Sequence, residues 1–175
     1  VRIRRQPGSV IKPILVYAPA LESGYTAATM LLDEQADFMG YRPGNAGDAY
    51  LGWVTMREAV TKSLNVPAVS VMSQLGVDSA KAFAAMLGVT FDPRDQSLAL
   101  ALGGFTYGVS PMQMAGAYAA FGNGGVYNAP TTIQRITDAS GNVLHQNVPL
   151  GRRVMQASNA YVLTSMLQSA VKSGT

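Results

Sequence analysis

Between Thr55 and Gly125 the chain marks the beginnings and ends of its own helices, and that punctuation limits the fold more than any other feature. Thr55-Met56-Arg57-Glu58 reads as a capping box, in which Thr55 and Glu58 each satisfy an orphan N–H of a helix start. The helix it opens is expected to run to about Lys62. Asn65-Val66-Pro67 then breaks the pattern and starts another helix, with Pro67 at a first helical position. That helix is expected to end near Leu75, with Gly76 as a left-handed cap. Asp78 is expected to cap a short helix carrying Ala82, Phe83, Met86 and Leu87 on one face, closed by Gly88. Ser110-Pro111-Met112-Gln113 is a second capping box, opening a helix through Phe121. Ala115, Gly116, Ala117, Ala119 and Ala120 make that helix narrow enough to lie close against a neighbour.

The period then changes. Thr131 to Thr137 alternates and is rich in β-branched residues, Asp138-Ala139-Ser140-Gly141 is a turn, and Asn142 to Gln146 returns as a second strand. Ser158 is expected to cap a last helix, with Tyr161, Val162, Met166 and Val171 at helical spacings. The pattern is α+β, with helices dominating.

Composition removes several classes of function. A chain of 175 residues, 48% apolar, is long enough for one domain with a real core. Only 13% of residues are charged and the net charge is +3, with basic residues clustered only at Arg2, Arg4 and Arg5, which argues against a nucleic-acid reader. There is no cysteine, so no disulfide, thiol nucleophile or zinc–thiolate site. His145 is the only histidine, which excludes a multi-histidine metal site. It falls in the polar second strand, where an ordinary surface histidine is expected. No run of 18 apolar residues is present. Val1-Arg2-Ile3-Arg4-Arg5 has no starting Met, and Val171 to Thr175 stops just after a helical pattern. The chain reads as an internal piece of a longer protein, cut at both ends, with any membrane anchor outside it.

Two short patterns carry chemistry. In Pro7-Gly8-Ser9-Val10-Ile11-Lys12-Pro13 a turn delivers Ser9 to a helix start, and Lys12 follows one helical turn later. A serine hydroxyl needs a base, and a lysine serves if desolvation lowers its pKa. Val10, Ile11, Ile14, Leu15 and Val16 are expected to bury that helix. Pro13 lacks the N–H that would close a helical bond to the Ser9 carbonyl. The second pattern is Ser63-Leu64-Asn65, at the break between two helices. Its hydroxyl can shuttle a proton, and its amide can hold a substrate carbonyl or orient the lysine. Each pattern alone is cheap. Ser169/Lys172 repeats the first inside a helix, and Ser140/Asn142 repeats the second in a hairpin turn. Alone, Ser9/Lys12 reads as a capped helix with an exposed lysine, and Ser63/Asn65 as a helix stop.

The combination, with Ser-x-Asn 54 residues after Ser-x-x-Lys, resembles the penicillin-binding serine transferases, whose motif set is Ser-x-x-Lys, Ser-x-Asn and Lys-Thr-Gly. Arg5 to Ser9, Tyr41-Arg42-Pro43-Gly44-Asn45, Leu102-Gly103-Gly104, Tyr107 to Pro111 and Ala117 to Gly125 all look like the transpeptidase domain of class A penicillin-binding proteins. The third motif departs. Lys172-Ser173-Gly174-Thr175 is similar to it with Ser for Thr, but the preceding residues read as a helix, whereas the family's third motif lies on a strand. Lys172 is therefore expected not to be catalytic, and residues 1–175 to form part of a single transpeptidase domain.

The resemblance implies an α+β fold with helices packed on an antiparallel sheet. It implies Ser9 as nucleophile, Lys12 as base, Ser63 as proton relay and Asn65 as substrate ligand. The implied substrate is the D-Ala-D-Ala end of a peptidoglycan stem peptide, with β-lactams acylating the same serine. No metal, organic cofactor or nucleic acid is implied, and the family works outside the cytoplasmic membrane. Two alternatives stay open: a D,D-carboxypeptidase or β-lactamase of the same fold, and a non-catalytic β-lactam-sensing module.

Overall fold

The segment from Ile11 to Leu21 forms the centre of the molecule because, Lys12 apart, its side chains are apolar on every face. In the computed structural model, which describes residues 3–174, Gly8–Ile11 is a 3-10 turn, Pro13–Tyr17 a π-helical turn and Ala18–Glu22 a short α-helix, α1. This is not the single regular helix implied by the Ser-x-x-Lys pattern, and Pro13 gives the reason. It has no N–H for the Ser9 carbonyl, so the Lys12 N–H bonds that carbonyl instead in the tighter 3-10 pattern. The ladder resumes with the wider π-type bond from Ala18 to Pro13. Ile11, Ile14, Leu15 and Val16 are fully buried, whereas Val10 is 54% exposed and does not belong to the buried face.

Around this spine the chain adds β1 (Met30–Asp33), β2 (Gly52–Thr55), α2 (Met56–Thr61), α3 (Asn65–Leu75), α4 (Val77–Met86), α5 (Pro111–Gly122), β3 (Val126–Tyr127), β4 (Arg135–Thr137), β5 (Val143–Gln146), β6 (Arg152–Arg153) and α6 (Ala157–Ser173). The strands form three two-stranded antiparallel sheets, β1–β2, β3–β6 and β4–β5. The core lies between helices: the buried central segment meets α3 and α4, and α6 packs on α1, α2 and α5. The fold is α+β, with the helical share the larger.

The helix boundaries follow the punctuation, with local corrections. Ser110 and Gln113 make the full capping box of α5. At α2 only half of the box forms: Thr55 accepts from the Glu58 N–H, while the Glu58 carboxylate turns to Lys62, 3.2 Å away. Pro67 is the third residue of α3 rather than its first, because Asn65 and Val66 already have helical geometry. Gly76 takes φ 82° but an extended ψ of 137°, so it joins α3 to α4 and is itself the cap of α4 in place of Asp78. Gln156, not Ser158, caps α6. The buried face of α6 is Ala160, Leu163 and Met166, while Tyr161 and Val171 (89% exposed) point away. The strand expected from Thr131 shortens to β4, because the β4–β5 hairpin is exposed on both faces and nothing rewards its extension. His145 is exposed on β5. The Arg2 and Thr175 readings lie outside the described residues.

Two loops hold the turn before Ser9. Arg5 exchanges backbone hydrogen bonds with Val109 (3.0 and 2.9 Å), and the Gln6 amide brackets the Phe105 backbone, accepting from its N–H at 2.8 Å and donating to its carbonyl. Gly103, at φ 93°, lies so close to Gly8 that a Cβ there would overlap the Gly8 backbone. Backbone, not a flexible side chain, would have to give way. Gly103→Ala is expected to lower the stability of the folded protein by about 2–4 kcal/mol, combining left-handed strain with overpacking. Thermal melting checks this, and an unchanged Tm would show that the Gly8–Gly103 contact does not constrain the turn.

Candidate active site

The site begins with a buried amine. Lys12 is 2% exposed, carried inward because the 3-10 turn sets it between the Ile11 and Pro13 side of the core and the end of α2. Its Nζ donates to the Ser63 carbonyl at 2.6 Å and to Asn65 Oδ1 at 2.7 Å, with Ser63 Oγ and the Leu64 carbonyl each at 3.2 Å. Burial lowers its pKa from the ordinary lysine value to about 8. Ser63 reaches the amine with both carbonyl and hydroxyl because its backbone is left-handed, at φ 52°. That conformation costs a non-glycine residue about 1 kcal/mol or more, and here it ends α2, with the Ser63 and Leu64 N–H groups returning to Val60 and Ala59.

Asn65 is held from the other side. Its Nδ2 donates to the Gly44 carbonyl at 2.7 Å, which leaves Oδ1 facing Lys12. Ser9 is exposed and its hydroxyl makes no hydrogen bond to the Lys12 amine; the amine turns to the Ser63–Asn65 segment rather than lying beside the hydroxyl as the Ser-x-x-Lys spacing suggests. Ser9 and Ser63 instead share both clefts that meet at this point. One is floored by Leu51 and Leu64 and edged by Asn45, Lys62 and Asn65. The other runs past Lys12 to Tyr17, Tyr118 and Leu167. All four expected residues, Ser9, Lys12, Ser63 and Asn65, therefore converge on one place.

The neighbouring phenols are unsuited to act as bases. Burial, reinforced by the negative charge of Asp33, pushes the Tyr17 hydroxyl well above its usual range, and that hydroxyl is buried without a partner. Burial raises Tyr118 to about 12; its hydroxyl donates to the Val10 carbonyl at 2.8 Å and so ties α5 to the Ser9 turn. Lys12 is the group of the two clefts that burial moves toward neutrality at working pH.

A family model described as the penicillin binding protein transpeptidase domain matches residues 1–175. The chain belongs to the penicillin-binding protein transpeptidase family. It is 41% identical over 172 residues to penicillin-binding protein 1F of Bacillus subtilis, covering 98% of this chain and 24% of that protein. Penicillin-binding protein 1A from Haemophilus influenzae superposes with a TM-score of 0.83 at 28% identity, over 95% of this chain and 30% of that one. The fold is also that of penicillin-binding protein A from Mycobacterium tuberculosis, solved as a penicillin G acyl-enzyme complex (TM-score 0.86, 24% identity, 97% of this chain and 45% of that one). The chain thus spans about a quarter of the length of the Bacillus relative.

The family's other matches in this sequence have local explanations. Lys172 is exposed in the last turn of α6, a helix and not a strand. Ser169 Oγ accepts from Arg57 at 2.9 Å, and Ser140 and Asn142 wrap the Asp138 carboxylate in the β4–β5 turn. The residues that sequence reasoning left without a role are Asp33 and Asn45; Asn45 stood only within a run resembling the family, and Asp33 carried no signal at all, since the strand it ends was not read from the sequence. Ser140→Ala and Ser169→Ala are expected to change penicillin acylation of the full-length protein by less than about threefold, with Ser169→Ala costing up to about 1 kcal/mol for its lost partner. A large loss of acylation with intact melting would place a motif on one of them.

Proposed function

We propose that this chain carries the acylation centre of a serine D,D-transpeptidase that cross-links peptidoglycan stem peptides and is a β-lactam target. The observation that supports this best is the buried Lys12 amine with its ring of oxygens from Ser63, Leu64 and Asn65. Ser9 Oγ attacks the carbonyl between the two D-alanines of the donor stem, and its proton passes toward Lys12. The C–N bond then breaks, the proton returns through Ser63 to the leaving amine, and D-Ala departs. An amine of a neighbouring stem attacks the Ser9 ester, restoring the hydroxyl and forming the cross-link. Asn65 holds the acyl side chain. β-Lactams open on the same serine.

The hydrogen-bond count suits this cycle. Neutral Lys12 has two N–H donors, enough for the two short bonds to the Ser63 carbonyl and Asn65 Oδ1. Its lone pair can then accept from the Ser63 hydroxyl, 3.2 Å away, which can donate as well as accept. Protonated Lys12 adds a third donor for Ser63 Oγ or Leu64 O. Both charge states are accommodated without moving a side chain, as a group that gains and loses a proton in each turnover requires. The family's place of action, outside the cytoplasmic membrane, is part of the proposal; no helix among the described residues is long and apolar enough to cross a membrane.

In the full-length protein, Ser9→Ala is expected to abolish covalent labelling by a fluorescent penicillin, and retained stoichiometric labelling would remove Ser9 from the role. Lys12→Arg keeps the charge but cannot deprotonate, so acylation is expected to fall by about 10²–10⁴-fold. The sign of the pH dependence follows from a base that must be neutral. About a tenth of Lys12 is neutral at pH 7 given a pKa of about 8, so the acylation rate rises about tenfold per pH unit below 8 and levels off above it. A rate flat from pH 6 to 9 would contradict Lys12 as base.

A further inference from the structure

Asn45 hydrogen-bonds neither Ser9 nor Lys12, yet its amide is used in full. It lies in the segment between β1 and β2, 8% exposed. Its Oδ1 accepts from the backbone N–H of Asn65 at 2.8 Å and of Val66 at 3.3 Å. Its Nδ2 donates to Asp33 Oδ1 at 2.7 Å and to the Ala49 carbonyl at 3.0 Å. Asn65 and Val66 open α3, and the first N–H groups of a helix have no partner inside it. The usual remedy is a Ser, Thr, Asp or Asn at the cap position, but the cap of α3 is Leu64, which has no side-chain acceptor. Asn45 supplies the missing acceptor from 20 residues upstream.

Asp33 in turn orients Asn45. It ends β1, is 0% exposed, accepts from Asn45 and from the Leu51 N–H at 3.0 Å, and pairs with no cation among the described residues. A buried carboxylate without a cation is costly. Here it fixes which way round the Asn45 amide sits, because only Nδ2 can face an acceptor. That leaves Oδ1 toward α3. The same helix start carries the Leu64 carbonyl and Asn65 Oδ1, and it follows directly on the strained Ser63. Three of the four oxygens around Lys12 come from Ser63 and Leu64, and the fourth from Asn65, all between the end of α2 and the turn that Asn45 clamps.

We infer that Asn45, oriented by Asp33, is a positioning residue for acylation: it fixes the first turn of α3 and so holds in place the oxygens that surround the Lys12 amine. The inference rests on the reading of Lys12 as the base. The other titratable groups around the lysine are Tyr17 and Tyr118 on the Ser9 side, Glu58 and Lys62 at the end of α2, and Asp33 behind Asn45; none hydrogen-bonds Lys12. The face of α6 on the cleft is apolar, with Leu167 and Ala170.

The test is the penicillin acylation rate of the full-length protein as a function of pH, with thermal melting alongside, for wild type, Asn45→Ala, Asp33→Asn and the exchanged pair Asp33→Asn with Asn45→Asp. Lys12→Arg serves as the control on the reading beneath the inference: if it keeps the wild-type rate and pH midpoint, the base is misassigned, whatever Asn45 does. Given a functioning Lys12, Asn45→Ala is expected to lower the rate by about 10- to 100-fold and to move the midpoint of the pH profile by about half a unit or more. Asp33→Asn, nearly identical in shape, is expected to show the same displacement more weakly. The exchanged pair restores one amide and one carboxylate between the two positions and is expected to recover the rate to within about threefold of wild type. A purely structural role would lower the melting temperature and the folded fraction and leave the midpoint in place. Should Asn45→Ala not fold, Asp33→Asn and the exchanged pair carry the comparison. Folded variants with the wild-type midpoint, or with a rate lost only in proportion to the folded fraction, overturn the assignment.

Discussion

The burial of one lysine sets the terms for everything near it. Lys12 enters the core on a segment whose other inward residues are almost all aliphatic, and removing an ammonium from water is tolerated only where oxygens replace the water. The replacement comes from a segment 51 to 53 residues further on, through Ser63, Leu64 and Asn65. The solvation is good enough to hold the amine in place, yet burial still lowers its pKa to about 8. A lysine more generously solvated would stay charged and be useless as a base. One left without acceptors would destabilise the fold, since an unpaired buried charge is among the largest single penalties a protein meets.

Holding that balance explains several features of the surrounding backbone and loops. The left-handed Ser63 brings two oxygens of one residue to the amine. The Gly44 carbonyl orients the Asn65 amide, and Asn45 anchors the helix start behind it. On the Ser9 side, the Gly8–Gly103 contact, the Gln6–Phe105 bracket and the Tyr118 bond to Val10 fix the turn that carries Ser9. Ser9, Lys12 and Ser63 are thus carried by short 3-10 and loop segments, but each is tied to a longer helix or a paired backbone.

Much of this was legible in the sequence because it is local. The Ser110–Gln113 box, the stop near Leu75 and the hairpin around Asp138 depend on residues within a few positions of one another, and their chemistry decides the outcome. Ser9, Lys12, Ser63 and Asn65 were legible through family resemblance, and the structure gathers them. What the sequence could not show was geometry set by distant partners. Glu58 prefers Lys62 to its box partner, the buried face of α6 is chosen by the surfaces of α1, α2 and α5, and the cap of α3 comes from a different loop. The 3-10 to π transition was foreshadowed by Pro13, whose missing N–H is a local fact, but its form depends on how the core accepts the next turn.

Whether Lys12 can serve as a base depends on its ionisation, which can be measured without reference to any rate. The chain has four lysines, and isotope-labelled side chains in the full-length protein give each an NMR titration, with the Lys12 signal assigned by its loss in Lys12→Arg. Burial among the Ser63–Asn65 oxygens requires a midpoint near 8 for Lys12, against the ordinary lysine value near 10.5. A Lys12 signal titrating at the ordinary value would mean that the amine remains charged throughout the working range, and would contradict the proposal that it acts as the base.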